Sequence, residues 1–177
     1  MGNVLQRFVY NTSVIAPLMI VLSIVWFQQY HTLLIPILLI ITSIVLAVLF
    51  CCSFLYATKK AENILLNVTE VQPKDGWVIA YIITYAFPFS SIVLEDFSVI
   101  LSGALALVIV IVMMFANTSI PHPLLFFQRY HFYAISTENG VAEYVFISKN
   151  KAIRNSEHIK QVKRMFEYLL IDSQEGK

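Results

Sequence analysis

Four runs of apolar residues, each free of Asp, Glu, His, Lys and Arg, dominate the first two thirds of the chain. They extend from about Val9 to Phe27, Thr32 to Tyr56, Trp77 to Leu94 and Phe97 to Ala116. A bilayer core about 30 Å thick takes about 20 helical residues to cross, so each run predicts a transmembrane helix. The third is the shortest, and its Pro88 removes a backbone donor and predicts a kink before Phe89, Ser90 and Ser91.

The polar positions between the runs set the topology. Gln28 to His31 joins the first two, and Glu95 with Asp96 joins the last two, so each pair forms a tight antiparallel hairpin. None of the 12 Lys and Arg residues falls in either connection. Arg7 precedes the first run, Lys59, Lys60 and Lys74 separate the second from the third, and eight follow the fourth. This one-sided distribution predicts a four-transmembrane-helix bundle with both termini in the cytoplasm. The first run is read as a span and not as a cleaved signal peptide, because it ends in Trp26, Phe27 and Tyr30 and not in small residues. Gln6 stands where a myristoylation signal carries Ser or Thr.

After Ala116 the pattern changes. Residues 120–177 hold 14 charged side chains, residues 1–119 only nine, and Pro121, His122 and Pro123 mark the boundary. The expected organisation is a transmembrane domain over 1–119 and a cytoplasmic interaction domain over 120–177. In the second, His131–Thr137 and Val141–Ser148 predict a β-hairpin around Glu138, Asn139 and Gly140. Ser156–Ile171 places Ile159, Val162, Phe166 and Leu169 at helical spacing and is read as a helix, with a buried strand over its last seven residues as the alternative. Leu124 to Phe127 are expected at the bilayer interface or packed under the domain. The fold class is thus an all-α membrane bundle carrying a small α+β tail. So short a tail makes a marginal core, which predicts association with the membrane, with copies of the chain or with another protein.

Composition narrows the function. Hydrophobic residues make up 58% and charged residues 13%, against about 45–50% and about 25% in soluble proteins. The mean hydropathy is +0.73, which demotes soluble enzymes. A net charge of +1, with Glu138, Glu143, Glu157, Glu167 and Asp172 interrupting the basic positions, argues against direct nucleic-acid binding. No charged group inside a run marks an ion path. Asn11, Ser23, Thr42, Ser43, Thr84 and Ser102 are read as interhelical hydrogen-bonding groups, and Ser102, Gly103 and Ala106 as a close helix contact. His31, His122, His131 and His158 are read as interfacial or surface residues, and Cys51 and Cys52 as membrane-buried thiols. No phosphate loop, nucleophile elbow or carboxylate pair appears, so no catalytic, metal or cofactor site is assigned and no enzyme is expected.

What remains is surface. Lys149, Lys151 and Arg154 follow the hairpin, and Lys160, Lys163 and Arg164 stand beside Phe166 and Tyr168. Cations near a membrane satisfy the positive-inside rule, touch anionic lipid or receive a partner. With their aromatic neighbours these eight residues form a candidate partner-binding surface.

The four runs, followed by YHFYAISTENG, YVFISK and KRMFEYLLID, resemble the membrane subunits of the bacterial Kiwa anti-phage defence system, the KwaA family. The resemblance covers most of the chain through its architecture and these tail phrases. It implies a homo-oligomer of the bacterial inner membrane that senses phage attack and works with a cytosolic DNA-binding effector of the KwaB kind. The competing class is a small oligomeric ion channel or pore with hydroxyl-lined or dewetted helices.

Overall fold

The computed structural model describes residues 4–74, 76–93, 98–115, 121–137, 144–150, 153, 159, 161–165 and 169–173. The first apolar run forms two helices, α1 (Val4–Ser13) and α2 (Ala16–Tyr30). Pro17 stands in the first turn of α2, where its missing N–H costs nothing but where it cannot donate back to the preceding turn. The break at Val14 and Ile15 is held by tight bonds from Val14 N to Asn11 O (3.3 Å) and from Ile15 N to Thr12 O (3.2 Å).

The second run is one unbroken helix, α3 (Leu34–Lys60), about 40 Å long at 1.5 Å per residue. Pro36, Ser43 and Phe50 recur at seven-residue spacing and, with Phe54, form its buried seam. This seam packs along α1 and α2, and Ser43 Oγ donates to Ala16 O at 2.8 Å across the helix pair. The opposite face, including Leu34, Leu38, Ile41, Ile44 and Val48, is exposed.

The third run is kinked where Pro88 lies. α4 (Trp77–Ala86) passes through a 3-10 turn (Phe87–Phe89) into the short α5 (Ser90–Val93). The fourth run is α6 (Val99–Phe115). Among the described residues, two of the four expected spans, Phe8–Tyr30 and Leu34–Lys60, are long and apolar enough to cross a membrane. The other two give shorter apolar helices, Ile79–Ile92 and Val99–Val112.

After α7 (Pro123–Phe127) the chain enters a six-stranded sheet. Its strands are β1 (Asn63–Leu65), β2 (Val68–Pro73), β3 (His131–Thr137), β4 (Tyr144–Ser148), β5 (Gln161–Arg164) and β6 (Leu169–Asp172), in the spatial order β1-β5-β6-β4-β3-β2. β3 and β4 pair antiparallel with His131 opposite Ser148 and Ile135 opposite Tyr144; the turn Glu138–Gly140 lies outside the described residues. Two expectations are corrected. The connection between α3 and α4, placed within the transmembrane domain 1–119, supplies β1 and β2, which pair with β5 and β3 at the two sheet edges. The segment read as a helix over 156–171 contains β5 and β6, joined by Met165 N donating to Leu169 O at 3.0 Å. Helical spacing misled here because β6 sits between β4 and β5, and its apolar residues are buried on both faces.

The alternation of the central strands sends Phe132, Val145, Ile147, Leu169 and Ile171 to one face, where they meet Tyr10, Phe50, Phe54, Leu125 and Tyr130. Tyr133, Ile135, Phe146, Val162 and Leu170 form a second cluster on the other face, covered by Ile64, Val68, Val71 and Ile159. A third cluster, Val14, Leu18, Tyr81, Ala106 and Val110, lies within the helices. The sheet therefore closes the end of the helical body at which α1 begins and α3 ends.

Candidate functional site

The joint between helices and sheet is built around His122. Residues before proline favour extended backbone, and His122, preceding Pro123, has φ −89 and ψ 125. From that position it caps α7: Leu124 N donates to Nδ1 at 3.2 Å. A nitrogen that accepts carries no proton, so the proton sits on Nε2. Nε2 faces Ser13 Oγ at 2.9 Å and Tyr10 O at 3.1 Å, and the Ser13 hydroxyl itself donates to Tyr10 O at 2.9 Å. The imidazole stacks on Phe50, with centroids 3.9 Å apart and 12° between planes, and takes the edge of Tyr10 at 4.8 Å. One side chain thus ties α1, α3 and α7 together.

His122 is 0% exposed. Burial pushes its pKa down from 6.5 to about 3, and the bond to Tyr10 O opposes that shift in part. Protonating Nδ1 would also set its new hydrogen against the Leu124 N–H. The expectation of a surface histidine is corrected: apolar rings on two sides and three polar partners hold it inside. His131 opens β3, half-buried, and His31 is an exposed left-handed cap of α2, while His158 lies outside the described residues. Among the described residues no three His, Cys, Asp or Glu side chains gather as a metal site.

Beside the joint lies a small cavity of ≈ 40 Å³, bounded by Tyr81 and Ile82 of α4, by Pro121 to Pro123, by Phe126 and Phe127 of α7, and by Phe132. The Tyr81 hydroxyl is buried without a hydrogen-bond partner, whereas Tyr85 donates to Val14 O at 2.8 Å, at the break between α1 and α2. Phe127 is 75% exposed while Leu125 is fully buried under the sheet. The Leu124–Phe127 run thus faces both ways.

The candidate surface residues part company. Lys149 is exposed, with Nζ 4.9 Å from the centre of the Tyr130 ring, and Arg164 is exposed on β5. Lys163 is half-buried and donates from Nζ to Thr58 O at 3.3 Å, near the C-terminal end of α3. A cation there complements the helix dipole and an orphan carbonyl. Lys151, Arg154, Lys160, Phe166 and Tyr168 lie outside the described residues. Ser102 is buried and donates to Val99 O at 3.1 Å. Gly103 faces Leu22, close enough that a Cβ would lie 2.7 Å from Leu22 Cδ2, and Ala106 packs in the helical cluster. Cys51 is half-buried and accepts from Gln128 Nε2 at 3.6 Å, and Cys52 is exposed on α3.

Reasoning from sequence missed His122, Ser13 and Phe50 as one unit. A cap between two prolines ahead of an apolar run was the available signal; nothing in the sequence indicates that Phe50 and Tyr10 would flank it.

Apolar helices with an outward-facing hydrophobic surface, closed at one end by a sheet and pinned to it through one buried histidine, define a helical body of membrane-crossing length with an appended α+β domain. A family model described as the anti-phage protein KwaA matches residues 6–171, and the chain belongs to this KwaA anti-phage protein family. Neither the curated proteins nor the solved structures contain a match. Family membership places the chain in anti-phage defence.

Proposed function

We propose that the chain is the membrane-embedded subunit of an anti-phage defence complex, a sensor and scaffold that self-associates through its helices and recruits a cytosolic DNA-binding effector of the KwaB kind through its sheet domain. The observation that carries this reading is α3. It is 27 residues long, and only 17% of its most apolar stretch is buried within the chain. The core helix of a soluble protein is largely buried, so the uncovered face calls for lipid or neighbouring copies.

In this reading all four apolar segments cross or enter the bacterial inner membrane, and both termini face the cytoplasm with the sheet. The one-sided placement of Lys and Arg supports that orientation. The uncovered apolar face of α3, with Leu38, Ile41, Ile44 and Val48, supports association by packing and not through buried charge. Exposed Lys149 and Arg164 are the described cations best placed to receive an acidic surface.

Affinity purification of the full chain from gently solubilised membranes tests the proposal. The expected result is a co-purifying cytosolic protein that is lost on double charge reversal, Lys149→Glu with Arg164→Glu, while the variant stays in the membrane fraction. Recovery of the chain in the soluble fraction would overturn the membrane role. An undiminished partner in the variant would move the docking site elsewhere, and ion flux from reconstituted liposomes would favour a pore.

A further inference from the structure

The cavity between α4 and α7 is lined by carbon and opens onto the outer face of the helices. Ile82 and Phe127 at its mouth are 60% and 75% exposed, and Ile79 and Ile83 continue the same exposed apolar strip along α4. An occupant entering from that strip comes from hydrocarbon and not from water. Two basic residues are anchored by their backbones to the cavity wall. Arg129 N donates to Phe126 O at 3.0 Å, and Lys74 N donates to Phe132 O at 2.8 Å. Arg129 is exposed and stands two residues beyond Phe127, so the rim lies within the length of its side chain. Its φ is 64, in the left-handed region where glycine or asparagine is favoured. The turn after α7 thus presents a guanidinium at a position that suits a smaller residue better.

We propose that this notch marks a lipid site: one acyl chain of an anionic phospholipid lies along the exposed strip of α4 and against Phe127 of α7, over the notch, and Arg129 meets the phosphate. The apolar lining selects a hydrocarbon chain, and the Arg129 cation selects an anionic head group over a zwitterionic one. The inference rests on the membrane placement proposed above. If it holds, the lipid bridges α4 of the helical body and α7 under the sheet, next to the His122 joint.

The test uses the full chain reconstituted in nanodiscs of equimolar phosphatidylglycerol and phosphatidylcholine, released gently and weighed with its retained lipid by native mass spectrometry. A single cation at the surface corresponds to about fivefold in affinity, so the unaltered chain retains phosphatidylglycerol over phosphatidylcholine by about that factor. Arg129→Gln brings the ratio to that of the bulk, and Phe127→Ser, a change at an exposed position, lowers total retention. Equal retention of both lipids by the unaltered chain, or an unchanged preference in Arg129→Gln, overturns the site. So does Phe127→Ser altering the oligomeric mass with lipid retention unchanged, since the notch would then hold a second copy. Carbonate extraction of the same membranes keeps the two readings apart. A chain that stays in the pellet without lipid preference sinks the site alone, whereas one released to the supernatant sinks the membrane placement as well.

Discussion

The ring of His122 lies flat on the ring of Phe50, 3.9 Å between centroids, although the two residues belong to elements separated by α4, α5, α6 and two sheet strands. Phe50 sits on the buried seam of α3, and His122 caps α7 at the entrance to the sheet. The contact therefore sets where the sheet stands on the helices. Its polar half, through Ser13 and Tyr10, fixes α1 to the same point.

Replacing His122 by Ala removes the stacked ring and the acceptor for Leu124 N together. The expected loss is about 3 kcal/mol, combining a cavity with a lost cap. His122→Asn, which keeps a capping acceptor, loses less. Thermal unfolding of the detergent-solubilised chain measures both, and equal stability of His122→Ala and the parent would refute the joint.

The depressed pKa of His122 gives a pH dependence of definite sign. The folded chain holds the imidazole neutral down to about pH 3, while the unfolded chain protonates it near pH 6.5, so the unfolded state binds the extra proton as pH falls. The contribution is full above about pH 6.5 and declines below it, by at most about 1.4 kcal/mol per pH unit, until about pH 3. Unfolding midpoints measured from pH 8 to pH 4 should fall more steeply in the parent than in His122→Gln.

Gly103 lies against the end of the Leu22 side chain. Leu22 can move, so Gly103→Ala should cost about 1 kcal/mol, and Gly103→Val should cost more. Adding Leu22→Ala to Gly103→Val should restore part of the loss, a coupling that a double-mutant cycle reads directly. Additive effects would mean that α2 and α6 do not meet there.

Lys163 and Arg164 are neighbours with different duties. Lys163→Gln breaks the bond to Thr58 O and should lower stability by about 1 kcal/mol, whereas Arg164→Gln, on the exposed side of β5, should stay within about 0.5 kcal/mol. Chemical denaturation of the two variants separates them. A larger loss for Arg164 would reverse the assignment.

The apolar runs were legible because crossing length is a one-dimensional property. Unbroken hydrophobicity from Leu34 onward predicts α3, and the missing N–H of Pro88 predicts the interruption of the third run, without knowledge of any neighbour. The β3–β4 pair was legible for the same reason: its strands are local, and their side chains have high strand preference. The family resemblance added the role in defence, which no residue pattern specifies by its chemistry.

Tertiary structure decided the rest. Residues 161–172 carry a pattern that suits a helix or two strands, and the choice falls to strands because β4 and β5 offer hydrogen bonds on both sides of β6. Residues 63–73 read as a connection because three or six residues of modest hydrophobicity are not stable strands alone, and they become strands only against β5 and β3. His122 read as a surface residue because its partners, Ser13 and Phe50, lie 109 and 72 positions away in sequence. By itself the sequence determined how hydrophobic each segment is and where the backbone must break, since both depend on the local chain. Which face of α3 is covered, and which histidine is buried, depended on contacts between distant segments, whose free energy exists only once the chain has closed on itself.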